Sequence, residues 1–140
     1  MKIHVLALDD VFDTGLATTL DVFTTANELA GMIGLDIAHF DVCVTGVRKR
    51  VDTAQGLRVP VKQAAECGNP DWTVIPAIGE KMPDGLQTAL RRKDIADAAG
   101  LLCEQAASGT KVAAACIGTF VLAESGLLDQ QQATTTWWLS

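Results

Sequence analysis

Short apolar runs alternate along the chain with longer segments in which apolar residues recur every three or four positions. The runs at 2–8, 40–45 and 72–75 have the length and hydrophobicity of buried strands. Between the first two runs, one face of a predicted helix carries Leu16, Leu20, Phe23, Ala26 and Ala30. Strands that alternate with helices in this way predict an α/β fold with a mainly parallel sheet.

Turn and cap residues set the predicted bounds of the other elements. The first helix is expected to run to about Met32, with Asp13 or Thr14 as its cap and Gly31 and Gly34 at its end. A small hairpin is predicted around Gln55 and Gly56, because short apolar segments flank this pair. Two more helices are expected, one over residues 83–91 and one capped by Asp94. A last short strand is predicted at 133–136.

Residues 112–123 carry the most informative pattern in the chain. A small apolar run leads to Cys116, Gly118 follows two residues later, and a helix-like apolar segment comes next. This order predicts a strand that runs directly into a helix, with Cys116 on the sharp turn between them. Free N–H groups at a helix start favour a thiolate. The alternative is a buried structural cysteine, since free cysteine is among the most buried residue types.

Length and charge exclude several classes of protein. The 140 residues make one domain. The net charge of −6 argues against a nucleic-acid surface, and no apolar run is long enough to predict a membrane span. Four cysteines lie far apart, without a C-x-x-C pair: Cys43, Cys67, Cys103 and Cys116. This spacing predicts neither a metal site nor a disulfide framework, and it favours reduced thiols in a cytoplasm.

Sites in parallel sheets lie at the carboxyl ends of the strands. In this chain those ends lead into the loops 9–13 and 76–79, the turn at Cys116 and the turn near Thr136 and Trp137. We therefore expect these four segments to converge on one cleft.

Residues 112–128, VAAACIGTFVLAESGLL, and the following ATTTWW resemble the PfpI/ThiJ-like, class I glutamine amidotransferase-like domains. LDVFTTANEL and DWTVIPAIG resemble in particular the subgroup at the N-terminus of AraC-type transcriptional regulators. The resemblance covers residues 1–140 and implies a flavodoxin-like three-layer α/β sandwich with a mainly parallel sheet. It implies a dimeric, ligand-sensing domain whose C-terminal part and DNA-binding region are absent from this sequence.

The chain departs from the family pattern at the positions that would carry catalysis. Thr136 stands at the position of the family's histidine, and Gly15 stands at the position of its acid, with Asp13 nearby. Many relatives carry paired glycines where this chain has Ala77-Ile78-Gly79. A thiol that transfers acyl groups also needs a base within hydrogen-bonding reach. The two histidines are predicted at the amino ends of their strands, so catalysis is not expected.

The sequence thus predicts a non-catalytic sensor without a metal or cofactor, located in the cytoplasm. Its predicted ligand pocket consists of Cys116, Ile117, Ala77, Ile78, Gly79, Asp13, Gly15, Thr136 and Trp137. The expected partners are a small polar or nitrogen-containing effector and further copies of the chain, in a homodimer or higher oligomer. DNA would be bound only through a C-terminal helix-turn-helix region outside this chain, and no membrane contact is expected. Two alternatives are a cysteine-dependent hydrolase, hydratase or amidase, with a base from a partner chain, and a dimerisation module with a vestigial pocket.

Overall fold

A five-stranded parallel sheet forms the centre of the computed structural model, which describes residues 1–139. The strand order is β5-β2-β1-β6-β7, and all four pairings are parallel. The sheet consists of β1 (Lys2–Leu6), β2 (Asp41–Gly46), β5 (Lys62–Gln63), β6 (Trp72–Ile75) and β7 (Lys111–Ala114). An antiparallel hairpin of β3 (Val51–Asp52) and β4 (Arg58–Val59) lies outside it.

Four α-helices cover the two faces of the sheet unequally. They are α1 (Asp13–Ile33), α2 (Pro83–Leu90), α3 (Lys93–Ala107) and α4 (Gly118–Glu124), and a 3-10 turn spans Ala64–Glu66. The apolar residues of α1 pack on one face, whereas those of α2, α3 and α4 form a second core on the other. This arrangement confirms the predicted α/β class with a parallel sheet and flanking helices.

Alternation along β1 supplies both cores. Ile3 and Val5 are buried against α1, whereas Leu6 belongs to the core beneath α2–α4. His4 lies between Ile3 and Val5, is 0% exposed, and has no hydrogen-bond partner for either ring nitrogen among the described residues. Burial lowers the pKa of His4, and the nearby Lys2 ammonium lowers it further. The prediction of histidines at the amino ends of strands fits His39, which lies two residues before β2, whereas His4 is the middle residue of β1.

The predicted caps of α1 are wrong. The cap position is Phe12, without a side-chain hydrogen bond, and Asp13 is the first helical residue. The Asp13 carboxylate instead accepts hydrogen bonds from the Thr53 hydroxyl and from the Gln55 N–H. At the other end, Gly34 adopts the left-handed conformation that ends the helix, with φ 68°. Gly31 lies inside the helix, so only one of the two predicted stops operates.

Two further expectations differ from the structure. Asp94 does not cap α3, because the helix begins at Lys93 and the Asp94 carboxylate binds the guanidinium of Arg92. Residues 133–136 form no strand. The edge strand β5 was not predicted. It is two residues long and is a strand only because it pairs with β2. The hydrophobic periodicity of a single segment does not reveal such a pairing.

Candidate functional site

The loops that follow β1 and β6 meet where the strand order reverses, the usual place for a site in this kind of sheet. Their main chains are joined by hydrogen bonds. Phe12 N–H donates to the carbonyl of Ala77 at 2.8 Å, and Gly79 N–H donates to that of Asp10 at 2.6 Å. The floor of the cleft is therefore closed by backbone pairing.

Arg92 supports the first of these loops from outside the sheet. Its guanidinium donates to the carbonyl of Asp9 at 2.6 Å and lies 4.0 Å from the Asp10 carboxylate. Burial nevertheless raises the pKa of Asp10. The Arg92 guanidinium lowers this pKa, whereas the neighbouring Glu80 carboxylate raises it further. Asp10 also adopts a left-handed backbone conformation, with φ 63°. These contacts fix the shape of the loop beside the cleft.

Cys116 lies on the turn between β7 and α4, as predicted. Its φ is 56°, a conformation that non-glycine residues adopt uncommonly and that occurs at functional sites. Its side chain is exposed, which does not fit a buried structural cysteine. Gly118 makes the turn possible: a Cβ there would lie 2.5 Å from the carbonyl oxygen of Ile75 and 2.7 Å from that of Pro76.

A cavity of about 450 Å³ opens beside Cys116, on the face of the sheet that carries α1. Its lining comprises Phe12, Thr14, Gly15, Thr18, Thr19, Val22, Phe23, Val74, Ala77, Ala115 and Cys116. The lining is apolar apart from three threonines and the thiol. It has no charged side chain within the part of the chain that the structure describes.

No general base lies near the thiol among residues 1–139. His4 is buried in β1, His39 precedes β2, and neither lines the cavity. The Asp13 carboxylate is engaged by Thr53 and Gln55. The cavity can hold a small molecule against the thiol, and its lining includes no histidine or carboxylate among residues 1–139.

Only some of the predicted pocket residues line the cavity. Cys116, Ala77 and Gly15 line the cavity together. Ile117 and Ile78 are each 2% exposed and pack in the core beneath α2–α4. A Cβ at Gly79 would lie 2.6 Å from Ala54 Cβ, so Gly79 allows close packing of the loops. Asp13 holds the hairpin, as described above.

The two predicted residues near the end of the described chain lie outside this cavity. Thr136 is 9% exposed, and its hydroxyl has no hydrogen-bond partner among residues 1–139. Its neighbour Thr135 donates to the main-chain carbonyl of Cys116 at 3.2 Å, which places the segment beside the turn. Trp137 is 84% exposed and meets Trp138 edge-on, with ring centroids 5.6 Å apart.

Sequence reasoning identified Gly15 but missed the rest of the contribution of α1 to the cavity. Thr18, Thr19, Val22 and Phe23 form one wall. The periodicity of α1 places Phe23 on the core-facing stripe, and the other three carry no sequence signal of a site. The exposure of Val22, at 59%, follows from the uncovered flank of α1, which only the tertiary arrangement reveals.

Residues 1–139 contain no metal-binding group of side chains and no membrane-spanning helix. No three His, Cys, Asp or Glu residues are grouped so that they could hold a metal ion. None of the helices has the combined length and hydrophobicity that a membrane span requires.

A family profile described as the DJ-1/PfpI family matches residues 1–140. The chain belongs to the DJ-1/PfpI family. Among curated proteins, an uncharacterized protein from the cpoL 5′ region of Streptomyces lividans is 27% identical over 139 residues, which cover 97% of this chain and 87% of the relative.

Solved structures of DJ-1/PfpI-like proteins have the same fold. A candidate transcriptional regulator from Vibrio parahaemolyticus superposes with a TM-score of 0.73 at 20% identity, over 100% of this chain and 69% of its own. An AraC family transcriptional regulator from Pseudomonas putida gives 0.68 at 22% identity, over 93% and 63%. Oxidized DJ-1 from Toxoplasma gondii gives 0.65 at 24% identity, over 96% and 66%.

Proposed function

We propose that this DJ-1/PfpI chain is the ligand-sensing and dimerisation domain of an AraC-family transcriptional regulator and performs no catalysis. The observation that carries the proposal is the cavity beside Cys116. An exposed thiol on a strained turn lines this cavity, and its described lining includes no histidine or carboxylate that could act as a base. The similarity in fold to two regulators supports the same view. In the proposed regulator, DNA contact belongs to a helix-turn-helix region outside these residues, and the protein acts in the cytoplasm.

The lining of the cavity indicates the chemistry of the effector. Phenyl and aliphatic side chains from Phe12, Val22, Phe23 and Val74 favour a ligand with an apolar body. The threonine hydroxyls at one wall can each donate or accept a hydrogen bond. We therefore propose a small, mainly apolar effector with a neutral polar group, in place of the polar or nitrogen-containing ligand expected from sequence.

Thermal unfolding in the presence of metabolite pools tests the proposal. A ligand that binds only the folded state raises the melting temperature. The variant Ala115→Leu narrows the cavity at an exposed position, so the shift should disappear, whereas Ala107→Leu on the exposed end of α3 should keep it. No shift with any pool would favour a pure dimerisation module. An equal shift in both variants would place the ligand elsewhere.

Dimerisation is supported by the uncovered side of α1. Val22, Leu29 and Ile33 are 59%, 50% and 68% exposed, and an apolar surface of this kind favours association. A second cavity, of about 400 Å³, extends this apolar surface toward Trp72 and Ala113. We call the uncovered side of α1 together with this cavity the open face. The helix α1 therefore has apolar residues both on the side that faces the sheet and on its exposed side. This pattern is typical of a helix that is covered on both sides.

Charge supports a second copy of this chain as the occupant of that face. The charged residues of α1 are Asp13, Asp21 and Glu28, all acidic. The open face has a cation at each end, because Lys81 lies 4.7 Å from the centre of the Phe12 ring and Lys111 lies 5.3 Å from that of Trp72. The acidic α1 helix of a partner therefore complements the two lysines of the face in charge.

Light scattering tests the dimer. The 140-residue protein should have the mass of a dimer or higher oligomer, and Leu29→Glu should shift it to the monomer. Leu57→Glu, at an exposed position in the hairpin loop, is the matched control and should leave the mass unchanged. A monomer at high concentration of the unsubstituted protein would contradict the proposal.

Exposure of Cys116 at a strained turn favours one second candidate, a cysteine-dependent hydrolase, hydratase or amidase that takes its base from a partner chain. Turnover of esters or amides that is lost in Cys116→Ala and kept in Cys103→Ala would establish it. Absence of turnover in the oligomeric protein would rule out this second candidate and leave the sensor and the pure dimerisation module, which the thermal shift separates.

A further inference from the structure

Residues 135–139, which we call the C-terminal segment, contact the rest of the protein beside the cavity at Cys116. The Thr135 hydroxyl donates to the main-chain carbonyl of Cys116 at 3.2 Å. The Trp138 indole N–H donates to the main-chain carbonyl of Lys81 at 3.1 Å. The segment is thus attached near both of its ends.

Both hydrogen bonds lead back to residues that line the cavity. Cys116 is itself part of the lining, so its carbonyl moves with the turn that presents the thiol. The Lys81 ammonium lies 4.7 Å from the centre of the Phe12 ring, and Phe12 forms another part of the lining. A molecule that fills the cavity therefore contacts two residues to which the C-terminal segment is connected.

The contacts that hold the docked segment are opposed by the burial of a hydroxyl. Thr136 is 9% exposed, and its hydroxyl has no hydrogen-bond partner among residues 1–139, so undocking would return it to water. Trp137 is 84% exposed, and Leu139 is only partly buried against the core beneath α2–α4. Segments with few buried apolar contacts open with free energies far below that of global unfolding. The C-terminal segment therefore has two accessible states, docked and undocked.

We propose that occupation of the cavity stabilises the docked state of the C-terminal segment. A molecule in contact with both Phe12 and Cys116 restricts the motion of these residues, so docking has less conformational freedom left to remove. By linkage, docking strengthens binding in the cavity by the same factor. The inference rests on the proposed sensing function, and it supplies a route by which an effector acts on a C-terminal DNA-binding region.

Hydrogen exchange of the Trp138 indole N–H, followed by NMR, measures docking directly, because this group donates to Lys81 in the docked state. The probe for the cavity is a carboxamidomethyl group on Cys116, attached with iodoacetamide. Cys103→Ser protein is used with and without the label, because Cys103 is the other exposed thiol. We expect the label to slow the exchange by at least about fivefold, the lower end of usual coupling between sites.

Thr135→Val removes the hydroxyl that donates to Cys116 and keeps the shape of the side chain. In this variant the label should lose most of its effect on the exchange. Thr88→Val is the matched control, since the Thr88 hydroxyl donates to the main-chain carbonyl of Asp84 at 3.0 Å within α2. This control should keep the full effect. A full effect in Thr135→Val would overturn the connection through the Cys116 carbonyl.

The comparison of labelled with unlabelled protein decides the matter even if a variant fails to fold. Exchange that is unchanged or faster after complete labelling of Cys116 would overturn the proposal. That result would leave the sensing function standing, because an effector can raise the melting temperature without acting on the C-terminal segment. Slower exchange in the labelled protein, with no melting-temperature shift in any metabolite pool, would support the coupling and contradict the effector.

Discussion

Gly118 lies directly against the main-chain carbonyl of Ile75, so close that an added Cβ would be 2.5 Å from the oxygen. The same contact joins the start of α4 to the end of β6 and thereby fixes the turn that presents Cys116. The contact partner is backbone and not a flexible side chain, so a larger residue can be accepted only if the turn itself moves.

Gly118→Ala should therefore lower the free energy of unfolding by about 1–3 kcal/mol, the usual cost of overpacking. Urea unfolding followed by circular dichroism measures it. The matched control is Gly100→Ala, because a Cβ at this position in α3 meets nothing within 4 Å. That variant should gain about 0.5–1 kcal/mol from the better helix propensity of alanine. Equal effects of the two substitutions would mean that the contact at Ile75 does not constrain the turn.

Buried His4 should make the protein sensitive to acid. Its pKa is lowered in the folded state, so the unfolded state binds more protons once the pH falls below the ordinary value of 6.5. The free energy of unfolding should thus decrease as the pH falls through about 6.5, by at most about 1.4 kcal/mol per pH unit for one proton. Urea unfolding at pH 7.5 and pH 5.5 measures the difference.

His4→Leu removes the titrating group and the two unpartnered ring nitrogens together. The variant should lose most of the pH dependence between these two values and should be at least as stable at pH 5.5. His39→Gln, at an exposed position before β2, is the control and should keep the pH dependence. Retention of the full dependence in His4→Leu would assign it to other groups.

Arg92 should matter more for stability than other ion-paired arginines. Its Nε and Nη2 bind the two carboxylate oxygens of Asp94 at 3.0 and 3.1 Å, and that side chain is only 6% exposed. Arg92→Ala leaves this buried carboxylate unpaired and should cost about 3 kcal/mol. Arg58→Ala is the matched control, because Arg58 and its partner Asp52 are 66% and 58% exposed. It should change the free energy of unfolding by less than about 1 kcal/mol. Similar losses in both variants would contradict the structural role of Arg92.

The features that local sequence determines were the ones that could be predicted. The turn at Cys116 follows from small residues before it and Gly118 after it, and α1 follows from its apolar periodicity. The cap of α1 was not predictable. The Asp13 carboxylate is taken by Thr53 and Gln55, which lie about forty residues away in the hairpin.

The cavity was predictable only in part, for the same reason. Cys116 and Ala77 lie just after the ends of β7 and β6, where parallel sheets place their sites, and Gly15 lies in the first turn of α1. The wall formed by Thr18 and Val22 depends on how α1 crosses the sheet, and no pattern within the helix reports that crossing.

Exposure and burial together predict the order in which the thiols react. Cys116 is exposed on a strained turn, whereas Cys43 is half-buried and its pKa is raised by burial. Limited alkylation with iodoacetamide at pH 7, followed by mass mapping, should therefore label Cys116 well before Cys43. Cys103 is the matched control for exposure, since it is exposed on α3 and donates to the Ser125 carbonyl at 3.1 Å. Faster labelling of Cys116 than of Cys103 would show that the turn itself promotes reaction.

The same experiment connects the thiol to the cavity. Alkylated Cys116 places a carboxamidomethyl group in a space of about 450 Å³, so it should abolish the melting-temperature shift caused by an effector. Protein labelled at Cys103 should keep that shift. Equal labelling of Cys43 and Cys116 in the folded protein would contradict the conclusion that the Cys116 thiol is the more exposed and more reactive of the two. An unchanged shift after complete labelling of Cys116 would place the effector away from the thiol and contradict its proposed position beside Cys116.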